Sequence, residues 1–234
     1  MSDLRQPREG LALISTHWPL MTDPMKFVLR YAPAIRGYLQ VLLPPSAEAD
    51  EVLQVFLASV VEGGFTPERV LRGRFRDYLI ATVRHCAWRW LCHKRHRPLR
   101  TEQVERLQAP AETVPEHAEW LAGWRQCLLD RAWETLEFKQ RQAPGNWHYT
   151  ALKLTADHPN ACSQSLADLV PASPPLSAAA FRKQLSRAWA AFARALLDEV
   201  ERTLENPTAE AVMEELSEVG LLEYVRPYLK KKPG

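Results

Sequence analysis

The sequence predicts an all-α protein with two helical modules. Apolar residues recur at three- and four-residue spacing along most of the chain. No segment sustains the alternation of a half-buried strand, and glycine is sparse, at 9 residues in 234. Prolines fall between the periodic segments, at Pro44-Pro45, at Pro98 and in "PASPPL".

The first helix is expected from Asp23 to Leu43, with Phe27, Tyr31, Ile35, Tyr38 and Leu42 on one face. Pro44-Pro45 stops it. Ser46 offers an N-cap for the next, and Glu48, Asp50 and Glu51 suit the positive end of its dipole. Val52, Phe56 and Val60 point inward, and Gly63-Gly64 ends the helix. A third helix runs from about Arg74 to His96 and is closed by Pro98. Residues 98–117 contain three prolines and weak periodicity, which predicts a linker.

Beyond it a helix is expected over 118–142, with Trp120, Trp124, Leu128, Trp133 and Leu136 as its apolar stripe and "APGNW" as its break. Further helices are expected near 147–157, 163–170, 177–204 and 208–219, and "RPYLKKKPG" reads as a frayed basic tail. The predicted domains are therefore 1–97, a linker at 98–117, 118–205, and an acidic extension with the basic tail at 206–234.

Several function classes are excluded as expectations. No apolar run approaches the roughly 20 residues of a membrane span. "MSDLRQPREG" lacks the apolar stretch of a secretory signal, so a cytoplasmic protein is expected. Four scattered cysteines do not make a disulfide framework. Cys86, Cys92, His93 and His96 lack the two spaced pairs of a structural zinc site, so no metal is expected. There is no Gly-rich phosphate loop, HExxH or nucleophile elbow, and His148 and His158 stand isolated. The expectation is a non-enzyme without a cofactor.

Charge is informative in its distribution. The net charge is only +2. Yet residues 72–100 hold nine Lys or Arg against one acid, Asp77, and residues 177–197 hold Arg182, Lys183, Arg187 and Arg194 with no acid. Residues 198–223 then carry nine acids and one Arg. Two basic helices thus alternate with acidic segments, a pattern that attracts phosphates with salt-dependent affinity.

On the first basic helix, Phe75, Leu79, Val83, Cys86 and Trp90 form one stripe, and Arg84, Trp88, Leu91 and Arg95 another. An aromatic among arginines suits single-stranded DNA, with rings on bases and cations on the backbone. The alternative, Trp88 packed on a neighbouring helix with solvated cations around it, stays open. On the second, Phe181, Leu185, Trp189, Phe192 and Leu196 make the core stripe, Ser177 is the N-cap, and Arg182, Lys183, Ser186 and Arg187 lie off the stripe. A short helix, a turn and a longer helix with early basic residues is the layout of a helix-turn-helix. A helical scaffold with solvated arginines is the other reading.

These pieces resemble a family. "EADEVLQVFLASVVE", "GRFRDYLIATVRHCAWRWLCHKRHR" and "LSAAAFRKQLSRAWAAFARALLDEV" are similar, in that order, to segments of bacterial sigma factors of the extracytoplasmic-function type, in the forms abundant in Planctomycetes. The acidic extension "NPTAEAVMEELSEVGLLEYVRPYL" resembles one found in the same group. The resemblance implies a region 2 domain, a region 4 helix-turn-helix domain, and binding to core RNA polymerase and promoter DNA without catalysis. It implies that Asp50, Glu51, Gln54 and Phe56 dock on the β′ clamp helices, with the β flap as a second polymerase contact. Arg84, His85, Trp88, Arg89, Lys94 and Arg95 would handle the opened −10 element. Ser177, Arg182, Lys183, Ser186 and Arg187 would read the −35 element. His85 stands where the family commonly has Asn and Arg89 where it often has an acid, which implies a promoter preference of its own. An anti-sigma factor is a further partner of the kind the family has. A stand-alone helix-turn-helix regulator that never engages polymerase is the competing expectation.

Overall fold

The computed structural model describes residues 24–43, 46–63, 74–94 and 116–229. Among these the chain is all-helical: α1 Pro24–Leu42, α2 Ser46–Gly63, α3 Phe75–Lys94, α4 Glu116–Gln142, α5 His148–Asp157, α6 Ser163–Asp168, α7 Ala178–Glu201, α8 Ala209–Glu218 and α9 Leu222–Leu229. Among the described residues the β-type pairing is one isolated antiparallel bridge, between Arg74 and Leu204. No described helix is long and apolar enough to cross a membrane. The chain divides into two compact units, residues 1–123 with 202–208, and residues 124–201 with 209–234. The division falls inside α4. Residues 98–115 of the expected linker lie outside the described residues.

In the first unit α1 and α2 pack along their apolar faces. Tyr31, Ala34, Ile35, Tyr38, Leu39 and Leu42 are buried on α1, and Ala49, Val52, Phe56 and Val60 on α2. These follow the helical spacing that the sequence predicts; the side chain of Phe27 lies outside the described residues. Pro33 sits inside α1 on its exposed side, where the ring can face solvent although a backbone donor is lost. The start of α3 is tied down by a segment distant in sequence, the Phe75 N–H donating to the Thr203 carbonyl at 3.1 Å. Phe75 then meets Tyr31 at 5.6 Å between ring centroids. The first turns of α4 add Trp120, edge-on to Tyr38 at 5.9 Å. Gly123 lets the backbones close: a Cβ there would lie 3.1 Å from the Ala34 Cα.

In the second unit α7 is the central helix, contacted by α5, α6, α8 and α9. Its buried residues include Phe181, Ala188, Phe192, Ala193, Leu196 and Val200. Phe181 joins Ala151 of α5 with Leu166, Ala167 and Val170 at and just after α6 in one apolar cluster. Trp133 of α4 packs edge-on against Phe192 at 5.3 Å and Tyr149 at 5.8 Å. Ser177 caps α7 as expected, its hydroxyl accepting from the Ala180 N–H at 3.2 Å.

The tail expectation needs correction. Residues 226–229 of the segment read as frayed belong to α9, which contacts α7 and buries Val225 completely. Gly220 makes the connection possible. Its φ is +69°, the Leu221 N–H donates to the Leu216 carbonyl at 2.7 Å, and the Gly220 N–H donates to the Ser217 carbonyl at 3.1 Å. That is a Schellman closure of α8, with Leu216 and Leu221 both fully buried as its apolar contact. Gly220→Ala is therefore expected to cost about 1 kcal/mol, because only glycine takes this φ without strain. Chemical denaturation checks it, and an unchanged midpoint would count against the closure.

Candidate nucleic-acid interface

Each basic helix lies in its own unit. On α7, burial of Phe181, Ala188 and Phe192 fixes which side faces out. Arg182, Lys183, Ser186 and Arg187 all lie on the exposed side. Among the described residues no carboxylate pairs with Arg182, Lys183 or Arg187. These cations are thus held on a rigid helix without internal counter-charge. The short α6 and the 169–177 turn precede them, a longer turn than a tight helix-turn-helix uses. Ser177 is exposed, but its hydroxyl is occupied as the helix cap.

The turn before α5 adds what the sequence reading missed. Gln184 Nε2 on α7 donates to the Gly145 carbonyl at 3.0 Å. Asn146 Oδ1 accepts from the His148 N–H at 3.0 Å. The His148 imidazole is half-buried, and it is held below its ordinary range by burial first, then by Arg187 and Lys139. The sequence showed His148 as isolated because Lys139 and Arg187 are nine and 39 positions away.

On α3 the expected residues divide between surface and core. His85 and Arg89 are exposed. Trp88 is half-buried and lies against His85, ring centroids 5.8 Å apart with a 35° tilt. Arg84 is a correction. It is 4% exposed, and its Nη1 donates to the Tyr38 hydroxyl at 3.2 Å. Leu91 is likewise buried, so the second stripe is not an open face. The buried side runs through Phe75, Arg76, Leu79, Ile80, Val83, Arg84, Ala87 and Leu91, while Cys86 and Trp90 are half-buried. Internal burial of two arginines requires polar partners, and Tyr38 supplies one of them. The Lys94 side chain and Arg95 lie outside the described residues.

Cys86 and Trp90 line a cleft of about 360 Å³ between α2 and α3, together with Val55, Phe56, Ser59, Thr82, His85, Arg89 and His93. Burial pushes the Cys86 thiol up, and Arg89 opposes that shift. Among the described residues no group of His, Cys, Asp and Glu is placed to hold a metal; His96 lies outside them.

On α2, Glu51 and Gln54 are exposed. Phe56 is a second correction: at 1% exposure it belongs to the core, where it packs α2. Asp50 accepts from Arg36 Nε at 2.9 Å and Nη2 at 3.2 Å. These bonds hold the Asp50 carboxyl below the usual carboxylate range.

Compared with models of protein families, with curated proteins and with solved structures, the chain matches none.

Proposed function

We propose that the chain is a sigma-type initiation subunit that binds core RNA polymerase and promoter DNA, with no chemistry of its own. The observation that supports this best is the set of unpaired cations at the start of α7, Arg182, Lys183 and Arg187. Such a helix offers side chains to the major groove and to phosphates. The His85–Trp88–Arg89 face of α3 adds rings beside a cation, which suits a melted strand: base–aromatic stacking is worth about 1–3 kcal/mol per base. On this reading the protein works in the cytoplasm, and an anti-sigma factor would be a natural antagonist.

The reading is tested by binding of the full chain to core RNA polymerase, with Glu51→Lys as the control. Glu51 is exposed on α2, and reversing its charge is expected to weaken the complex at least tenfold. Absence of polymerase binding would sink the proposal. A second reading, a duplex-binding regulator that works without polymerase, has one observation in its favour. Of the four residues carried over as polymerase contacts, Phe56 is in the core and Asp50 is bonded to Arg36. Duplex binding without polymerase binding would select it.

A further inference from the structure

Around the turn between α4 and α5 the second unit gathers basic side chains from three helices. Asn146 Nδ2 donates to the Lys139 carbonyl at 3.4 Å, and its Oδ1 accepts from the His148 N–H. Gln184 of α7 reaches the Gly145 carbonyl, and Gly145 has a φ of +80°. These bonds bring the last turn of α4, the first residue of α5 and the outer face of α7 to one place. Lys139, His148 and Arg187 stand on those three elements, and Arg187 lies one turn beyond Gln184. Both cations act on the imidazole.

Among the described residues none of the three has an ion-pair partner. The acids of the neighbouring elements are engaged elsewhere: Glu137 of α4 with Arg141, Asp157 of α5 with Lys153, and Asp168 of α6 with Gln164. On α7 no acid precedes Asp198. Two cations acting on one imidazole hold it neutral unless an anion joins them.

We propose that Lys139, His148 and Arg187 form a phosphate seat, and that on a duplex held by α7 it takes a backbone phosphate with His148 as the imidazolium. The duplex half of this rests on the DNA reading above; the seat itself does not. The ligand chemistry, a phosphate oxygen accepting N–H bonds, is shared by a free phosphate and a duplex.

The seat is coupled to pH with a definite sign. The free imidazole titrates below its ordinary range, whereas a phosphate beside it favours the charged form. Binding therefore takes up a proton. Affinity rises as pH falls through the raised, bound-state value, and levels off below the depressed, free-state value.

The test follows the His148 imidazole by NMR in the full chain, with inorganic phosphate and separately with a duplex oligonucleotide, against chloride at equal ionic strength. Both ligands are expected to raise its titration midpoint by about one pH unit. Duplex affinity should fall several-fold from about pH 6 to 8, near the histidine range, and lose that dependence in His148→Gln. Lys139→Gln should raise the midpoint of the free chain and shrink the phosphate response, a readout that does not depend on the histidine variant folding. No shift with either ligand overturns the seat. A shift with phosphate but none with a duplex that does bind overturns the backbone assignment. A phosphate shift in a chain that binds no duplex upholds the seat and removes the DNA reading.

Discussion

Replacing Arg182 and Arg187 together with alanine is expected to weaken duplex binding by about a hundredfold or more at moderate salt, because each good base or phosphate contact is worth about 1–3 kcal/mol. The log–log salt dependence should become shallower by about two, one counterion for each lost phosphate contact. Both side chains are exposed and unpaired, so their removal leaves no internal group without a partner. The variant should therefore melt within about 0.5 kcal/mol of the wild type. Anisotropy titrations across a salt series separate the two effects. The single Arg182→Ala variant matters here, because Arg182 lies outside the phosphate seat. Its loss should alter the salt slope while leaving the pH response intact. An unchanged footprint and slope in the double variant would remove the helix-turn-helix assignment.

Much of the second unit was legible in the sequence, for physical reasons. Phe181, Phe192 and Leu196 are apolar at helical spacing and buried, and Ser177 is a good cap, so the start and most of the facing of α7 could be read directly. Leu185 and Trp189 of the expected stripe are only half-buried, and the helix ends at Glu201. The first unit was harder. The buried side of α3 includes Arg76 and Arg84, and a periodicity argument assigns arginines to solvent. Once those two are inside, the stripe passes through Ala87 and Leu91, with Cys86 and Trp90 at its margin. For Arg84 the partner is the Tyr38 hydroxyl on α1, 46 positions away, and nothing local announces it. The bridge from Arg74 to Leu204 is hidden for the same reason, since a pairing across so much chain leaves no local pattern. Pro227 concealed α9, because proline in the last turns of a short apolar segment reads as a terminator. The candidate site divides along the same line. Exposed cations on one helix were readable, whereas a cluster assembled from three helices needed the fold.

Phe181→Ala should produce the largest loss of stability, about 3–5 kcal/mol, as expected for truncating a fully buried aromatic side chain. That is a large share of the roughly 5–15 kcal/mol that holds a typical domain together. Phe181 adjoins Arg182 in the chain, and it anchors the first turns of α7 to Ala151, Leu166, Ala167 and Val170. The residue that orients the cations is thus also the one that holds α6 and the following turn. Phe181→Leu keeps most of the apolar volume and should cost clearly less. Melting followed by circular dichroism orders the three proteins. Duplex titration at a temperature where each remains folded then separates aim from stability. Phe181→Ala should bind more weakly even when folded, because its cations stand on a looser helix start. Equal melting of wild type and Phe181→Ala would mean that the α5–α6–α7 cluster does not hold the cations in place. Equal duplex affinity of the folded proteins would mean that their aim does not matter, and that attraction by charge alone accounts for binding.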